Sequence, residues 1–215
     1  MMQTLRYQLF YRRRLPHWQP PGATFFITFR LRGSLPRQVL EQLVEERASA
    51  EKRLRQIQDL TVRTIETYRE ERRLFGKWDQ ALHTAREGPR WLEDPRIASL
   101  VAESLQYWNG KTYDLLAFCV MPNHVHLVCT PLEEADGEYF PLSAILHSLK
   151  GYTARRANQI LSRTGPFWQR ESYDHVVRNE RELIRIIQYV QNNPVAAGLV
   201  QNWQEWPWTY PKDSP

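Results

Sequence analysis

The sequence has only two cysteines, Cys119 and Cys129, among its 215 residues. They lie in two apolar runs and provide no disulfide framework, which favours a reducing compartment. The sequence also lacks an apolar run long enough to span a bilayer, and its first residues contain no apolar segment of a secretory signal. We therefore expect a soluble cytoplasmic protein with no membrane association.

Acidic residues are fewer than basic ones: 24 Asp and Glu stand against 29 Lys and Arg, which gives a formal net charge of +5. The pI is near 9.3, so a polyanion is a better candidate partner than a basic substrate. The chain also has eight Trp and ten Tyr. Aromatic residues interleaved with arginine suit the stacking of unpaired bases, although most of them are expected in the core.

The length fits a single domain over residues 1–215, with an insertion. Residues 1–23 are basic and contain several prolines, which predicts an extended arm. Residues 24–31 are β-branched and aromatic and predict a first strand. A helical insertion is expected at about 37–90. Its charged part, 37–68, has helical spacing and predicts either a projecting helical hairpin or a short coiled-coil dimer contact.

The remaining segments alternate between strand and helix patterns. We predict helices at 96–108, 142–161 and 180–193, and strands at 113–121, 124–130 and 174–178. Without the insertion, this order is the split βαβ pattern of a ferredoxin-like domain. The predicted fold class is therefore α+β, an antiparallel sheet with helices on one face, plus the charged helical insertion.

The most informative feature is the segment Met-Pro-Asn-His-Val-His-Leu-Val at 121–128. Side chains alternate across a strand, so His124 and His126 point to one face while Val125 and Leu127 point into the core. Two neighbouring imidazoles on a half-buried strand are suited to holding a metal, and they are costly to bury without a partner. The alternative is a solvated pair on an exposed face. A metal would also need a further ligand from elsewhere.

The last predicted helix contains a second candidate pair, Tyr189 and Asn193. Leu183, Ile186, Ile187 and Val190 define its apolar stripe, and Tyr189 lies off the centre of that stripe. Asn193, four residues on, is its neighbour on the same face. A possible nucleophile therefore adjoins a possible metal ligand. The alternatives are an amphipathic tyrosine between core and solvent, and an asparagine that caps a further turn beginning at Pro194.

These two segments together, Met121 to Leu127 and Tyr189 to Leu199, resemble the HUH single-tyrosine transposases. More closely, the chain is similar to the REP-associated tyrosine transposases, which are domesticated bacterial relatives linked to repeated palindromic hairpins. Further matching stretches lie at 13–24, 149–154 and 167–171. The resemblance extends over nearly the whole chain. Each motif is weak alone, but the set in this order is specific.

The resemblance implies a metal-dependent single-stranded DNA endonuclease and strand transferase that acts at REP-type hairpins through a 5′-phosphotyrosine intermediate. The family's metal-binding histidines fall on His124 and His126, its nucleophile on Tyr189 and its additional ligand on Asn193, where insertion-sequence members commonly have glutamine. The implied cofactor is Mg²⁺ or Mn²⁺, and a two-histidine site suits Mn²⁺ at least as well. The implied setting is the bacterial nucleoid, for a monomer or a homodimer.

Basic residues are the candidates for DNA contact: Arg12, Arg13, Arg14, Lys150, Arg155, Arg156 and Arg178. Any of them can instead be a solubilising surface charge. Tyr152 and Tyr173 compete with Tyr189 as nucleophiles by residue type only. Two other functions stay open: a catalytically silent DNA hairpin-binding protein with a regulatory or structural role, and a metallohydrolase that uses water as the nucleophile.

Overall fold

The computed structural model describes residues 19–85, 87–135 and 137–211. The chain divides into two compact units. The main unit consists of the residues up to Arg32 and from Arg90 onward, and the insertion unit consists of Gly33–Pro89. Arg12, Arg13 and Arg14 of the predicted arm lie outside the described residues.

The main unit is built on an antiparallel sheet. The strands are β1 (Phe25–Arg30), β2 (Tyr113–Val120), β3 (His124–Pro131), β4 (Glu133–Ala135), β5 (Glu138–Tyr139), β6 (Tyr173–Val176) and β7 (Thr209–Tyr210). Five of them form one sheet in the order β6-β1-β3-β2-β7, and β4 pairs with β5 separately. The order of the first four strands in that sheet is the one expected of a ferredoxin-like domain. The predicted fold class is confirmed.

Five helices accompany the strands: α1 (Arg37–Arg55), α2 (Leu60–Thr84), α3 (Pro95–Tyr107), α4 (Leu142–Ile160) and α5 (Glu180–Ala196). The start of α3 shows how local sequence sets these limits. The Asp94 carboxylate accepts a hydrogen bond from the backbone N–H of Arg96, and Pro95 occupies the first helical position. Both features are favourable at a helix N-terminus.

Strand alternation gives the sheet two different faces. Phe25, Ile27 and Phe29 of β1 and Val125 and Leu127 of β3 point into the hydrophobic core, where side chains of α3 and α4 meet them. In each strand, the residues that alternate with these necessarily point to the opposite face of the sheet. That opposite face carries the two histidines, and α5 packs on it. The prediction of helices on one face therefore holds for α3 and α4 but is wrong for α5.

The insertion unit consists of the helices α1 and α2. Ion pairs join them, among which are Arg53 with Glu70, Arg73 with Glu46 and Lys77 with Glu46. The helix α2 continues through Gly76 to Thr84, although the glycines and prolines of 74–95 predict a broken segment. Leu74, Trp78 and Leu82 recur along α2 at a spacing of four residues and are buried, which explains why the helix continues there.

The C-terminal segment adds the short strand β7, which the sequence pattern does not reveal. The indole N–H of Trp206 donates to the carbonyl of Val120, and that of Trp208 donates to the Ser99 hydroxyl. These tryptophans therefore attach the C-terminal segment to β2 and α3. Among the described residues, no helix combines the length and the hydrophobicity needed to cross a bilayer.

Candidate functional site

The pairing of β1 with β3 determines which side chains surround the two histidines. In the antiparallel register, Thr28 lies opposite His126 and Arg30 lies opposite His124. Directly opposed residues of an antiparallel pair share a face and are close neighbours. His124 and His126 are only 1% and 0% exposed. The prediction that both share one face is therefore met, whereas the alternative of a solvated pair is wrong.

The two imidazole rings direct one nitrogen each towards the same position. Their Nε2 atoms are 3.1 Å apart and the ring centroids are 4.7 Å apart, with the planes at 79°. Two ligand atoms about 2.1 Å from an octahedral cation lie about 3 Å apart when they occupy adjacent corners. The spacing of the two Nε2 atoms therefore fits a single divalent cation, with imidazole donors that suit a transition metal such as Mn²⁺.

The other nitrogen of each ring has a polar partner. The Nδ1 atom of His124 is 2.7 Å from Oδ1 of Asn123, and the Nδ1 atom of His126 is 2.8 Å from Oγ1 of Thr28. Such partners orient metal-binding histidines in proteins. Sequence reasoning missed both of them. Asn123 adjoins His124 in the motif, but Thr28 is recognised only from the strand register.

The helix α5 brings Tyr189 to the histidine face. The ring of Tyr189 lies 5.6 Å from that of His126 and 6.0 Å from that of Phe26, edge-on in both cases. The tyrosine is half-buried, and Asn193, one turn further along, is 1% exposed. The helix runs through Pro194 to Ala196, so Asn193 does not cap a new helix. The structure thus brings His124, His126 and Tyr189 together and buries Asn193 one turn beyond.

A buried carboxylate fixes the beginning of α5. Glu182 accepts a hydrogen bond from Nε2 of His175 on β6 at 3.1 Å and another from the backbone N–H of Arg178 at 2.8 Å. The Asn179 side chain caps the helix by accepting from the N–H of Glu182. Because Glu182 precedes Tyr189 by two turns, both lie on the same face of α5. This attachment to the sheet edge therefore helps to determine the position of the tyrosine.

Arg30 adds a positive charge beside His124. It is 6% exposed, and burial lowers the pKa of its guanidinium to about 10, an effect that the nearby Glu171 opposes. Arginine remains charged at neutral pH even with such a shift. A cation at this point suits an anionic ligand. The residue was not among the candidates from sequence, because a single arginine in a strand carries no recognisable pattern.

The side chain of Lys150 forms hydrogen bonds within the protein. Its ammonium donates to the backbone carbonyl of Arg170 at 2.9 Å and to the hydroxyl of Ser172 at 3.2 Å. Burial lowers the pKa of Lys150 to about 8, with a further lowering by Arg30 and an opposing effect of Glu171. Lys150 therefore holds the segment that leads into β6.

The other basic candidates lie on the surface. Arg155 and Arg156 are exposed on α4, which belongs to the core face of the sheet, so the structure does not bring them to the histidines. Arg178 is exposed just before α5. Of the competing tyrosines, Tyr152 is 46% exposed on α4, while Tyr173 on β6 contacts Phe26 edge-on at 6.1 Å.

Comparison with known proteins shows what the chain is similar to. Residues 92–193 match the family model described as IS200-like transposases. The chain is 28% identical over 103 residues to a Haemophilus influenzae protein assigned to the REP-associated tyrosine transposases, a match that covers 45% of this chain and 58% of the relative. It is 26% identical over 99 residues to the REP-associated tyrosine transposase of Escherichia coli, covering 46% of this chain and 54% of that protein.

A solved structure shares the fold. It is that of a REP-associated tyrosine transposase bound to a REP hairpin, with a TM-score of 0.52 and 17% sequence identity, over 97% of this chain and 92% of the other. The predicted resemblance to the REP-associated tyrosine transposases is therefore confirmed. The sequence matches to the two curated relatives span little more than half of their lengths.

Proposed function

From the match of residues 92–193 to IS200-like transposases, we propose that this protein is a metal-dependent single-stranded DNA endonuclease and strand transferase that acts at REP-type hairpins. The observation that carries the proposal is the contact of Tyr189 with His126, on the face that also presents His124. Phosphoryl transfer to a tyrosine can use such a set of a nucleophile, two metal ligands and a buried arginine.

The reaction is a transesterification. Oη of Tyr189 attacks the phosphorus of the scissile phosphodiester, and the bond from phosphorus to the 3′ oxygen breaks. The phenolic proton leaves Oη, and a proton joins the departing oxygen, which becomes a free 3′-OH. The 5′-phosphotyrosine conserves the energy of the ester bond. A 3′-OH of a second strand can therefore reverse the step, release Tyr189 and rejoin the DNA.

The side chains around the tyrosine assist this step in distinct ways. A phenol is a weak nucleophile because its ordinary pKa is near 10. Held by His124, His126 and Asn193, a divalent cation would polarise the scissile phosphate and stabilise the charge that develops there. Phe26 and His126 pack against the Tyr189 ring and limit its orientations. Arg30, which lies beside His124, would neutralise a phosphate oxygen.

DNA binding would extend from the site over the basic surface. Arg178 lies at the beginning of the helix that carries Tyr189. Arg155 and Arg156 would contact the hairpin backbone from α4, and Arg12, Arg13 and Arg14 would do so from the arm. Lys150 would contribute by ordering the segment before β6. We propose that the protein does this as a monomer or homodimer in the bacterial cytoplasm, associated with the nucleoid.

Two other functions make different predictions. A silent hairpin-binding protein needs none of His124, His126 and Tyr189, so the clustering of all three at one site favours the enzyme. A hydrolase that uses water would cleave DNA without a covalent intermediate. The covalent protein–DNA adduct, formed by the wild type and lost in Tyr189→Phe, therefore distinguishes the proposed function from both.

A further inference from the structure

The partners of the two histidines differ in chemistry. The Nδ1 atom of His124 meets an amide oxygen, that of Asn123, whereas the Nδ1 atom of His126 meets a hydroxyl, that of Thr28. An amide oxygen can only accept a hydrogen bond, while a hydroxyl can donate or accept by rotating about its C–O bond. The two rings therefore do not have the same freedom in where each carries its proton.

For His124 the proton position is fixed. Because Oδ1 of Asn123 accepts at 2.7 Å, the Nδ1 atom of His124 must carry the proton. A neutral imidazole has one protonated nitrogen, so the Nε2 atom of His124 presents a lone pair. This lone pair points to Nε2 of His126, 3.1 Å away. A lone pair of this kind can accept a hydrogen bond or bind a cation.

For His126 two arrangements satisfy both Thr28 and His124. In the first, its Nε2–H donates to Nε2 of His124, and its bare Nδ1 accepts from the Thr28 hydroxyl. In the second, its Nδ1–H donates to Thr28, and both Nε2 lone pairs are directed at a cation. Two facing lone pairs at 3.1 Å repel each other unless a proton or a cation lies between them. The hydroxyl of Thr28 fits both arrangements, and an amide oxygen would fit only the second.

We propose that Asn123 and Thr28 are positioning residues of the metal site, Asn123 as a fixed acceptor for His124 and Thr28 as a rotating hydroxyl that lets His126 change tautomer when a cation binds. One proton leaves Nε2 of His126 and one joins Nδ1, so the charge of the ring is unchanged and no net proton is released. This inference rests on the metal site of the proposed function. It adds how the two histidines of that site are prepared to bind a cation.

The test reads the tautomers directly. The imidazole ¹⁵N shifts of His124 and His126 are recorded at pH 8, where an ordinary histidine is neutral, without metal and with saturating Mg²⁺, which is diamagnetic. We expect His124 to be protonated at Nδ1 in both samples. We expect His126 to be protonated at Nε2 without metal and at Nδ1 with it. The same tautomer of His126 in both samples would overturn the switch, and an Nε2 proton on His124 would overturn the role of Asn123.

Matched variants test the role of Thr28 by Mn²⁺ affinity, measured by electron paramagnetic resonance. Thr28→Val has nearly the same shape and lacks the hydroxyl, and Thr28→Ser keeps it. Loss of an outer partner typically weakens metal binding about 10- to 100-fold, which is the effect expected for Thr28→Val, with Thr28→Ser close to wild type. Equal affinities for all three folded proteins would contradict this inference but not the proposed function. A wild type that binds neither metal would instead remove the metal site of the proposed function.

Discussion

The ring of Tyr189 meets the ring of His126 edge-on, with the centroids 5.6 Å apart and the planes at 67°. One residue belongs to the last helix and the other to a central strand of the sheet. The sheet register places the histidine on the face opposite the core, and the attachment of Glu182 to β6 holds α5 over that face.

Removal of either histidine should weaken metal binding. In His124→Ala or His126→Ala, one of two nitrogen ligands is lost, so the affinity for Mn²⁺ should fall by more than about 100-fold, beyond the roughly 10- to 100-fold effect of an outer partner. Isothermal titration with Mn²⁺ measures this. His147→Ala is the matched control, since His147 is exposed on α4. Wild-type affinity in both histidine variants would show that the metal binds elsewhere.

Lys150 should make stability depend on pH. Burial lowers its pKa in the folded state to about 8, below the value of about 10.4 in an unfolded chain. Between these values the unfolded chain binds more protons, so this group makes the folded state more stable as the pH rises from about 8 to 10. The unfolding free energy of wild type minus that of Lys150→Met, both measured by urea denaturation, should therefore increase with pH over that range. A constant difference would contradict the lowered pKa.

Arg155 and Arg156 should contribute to DNA affinity but not to catalysis. Both are exposed on α4, remote in the fold from the histidine face, so their replacement removes phosphate contacts only. For Arg155→Ala/Arg156→Ala, the slope of log K against log salt should fall by about 0.7 per lost contact to single-stranded DNA. The control variant Arg155→Lys/Arg156→Lys, which keeps both charges, should keep the wild-type slope. An unchanged slope in the alanine variant, from fluorescence anisotropy, would show that these residues only solubilise.

The sheet core should be sensitive to truncation. Phe29 is fully buried and packs edge-on against Trp168, with the ring centroids 4.9 Å apart. Phe29→Ala should lower the free energy of unfolding by about 3–5 kcal/mol, because it removes buried apolar surface and leaves a cavity. Val44→Ala, at a position 61% exposed, should change it by less than about 0.5 kcal/mol. Equal midpoints for the two variants in a denaturant titration would contradict this packing.

Local patterns were sufficient to predict much of the fold. Alternation through 121–128 correctly predicted β3 and the shared face of His124 and His126, because that pattern is a local property of a strand. The strand β7 was not predicted, since two residues between prolines give no periodic signal. The stripe of α5 was predicted only in part. Val190 is fully buried, but Leu183 is half-buried and Glu182 is 4% exposed, because a partner on β6 compensates for burial of the carboxylate.

The site was predicted less completely than the fold. His124, His126 and Tyr189 carry the recognisable motif, and the structure places them together. Thr28 was missed because its contact with His126 depends on a strand pairing between distant parts of the sequence. Arg30 was missed for the same reason. Residues that act through a neighbour become visible only when the register of the sheet is known.

The most direct measurement of the central claim is a denaturing gel of labelled single-stranded REP-type hairpin DNA incubated with the protein and Mn²⁺. Wild type and Tyr152→Phe, the control for an exposed tyrosine, should both give a covalent protein–DNA band. Tyr189→Phe should give none while it still shifts the hairpin on a native gel. Cleavage by Tyr189→Phe without an adduct would contradict the account in favour of hydrolysis by water. Binding by wild type without cleavage, over several hairpins and metals, would contradict it in favour of a silent hairpin-binding protein.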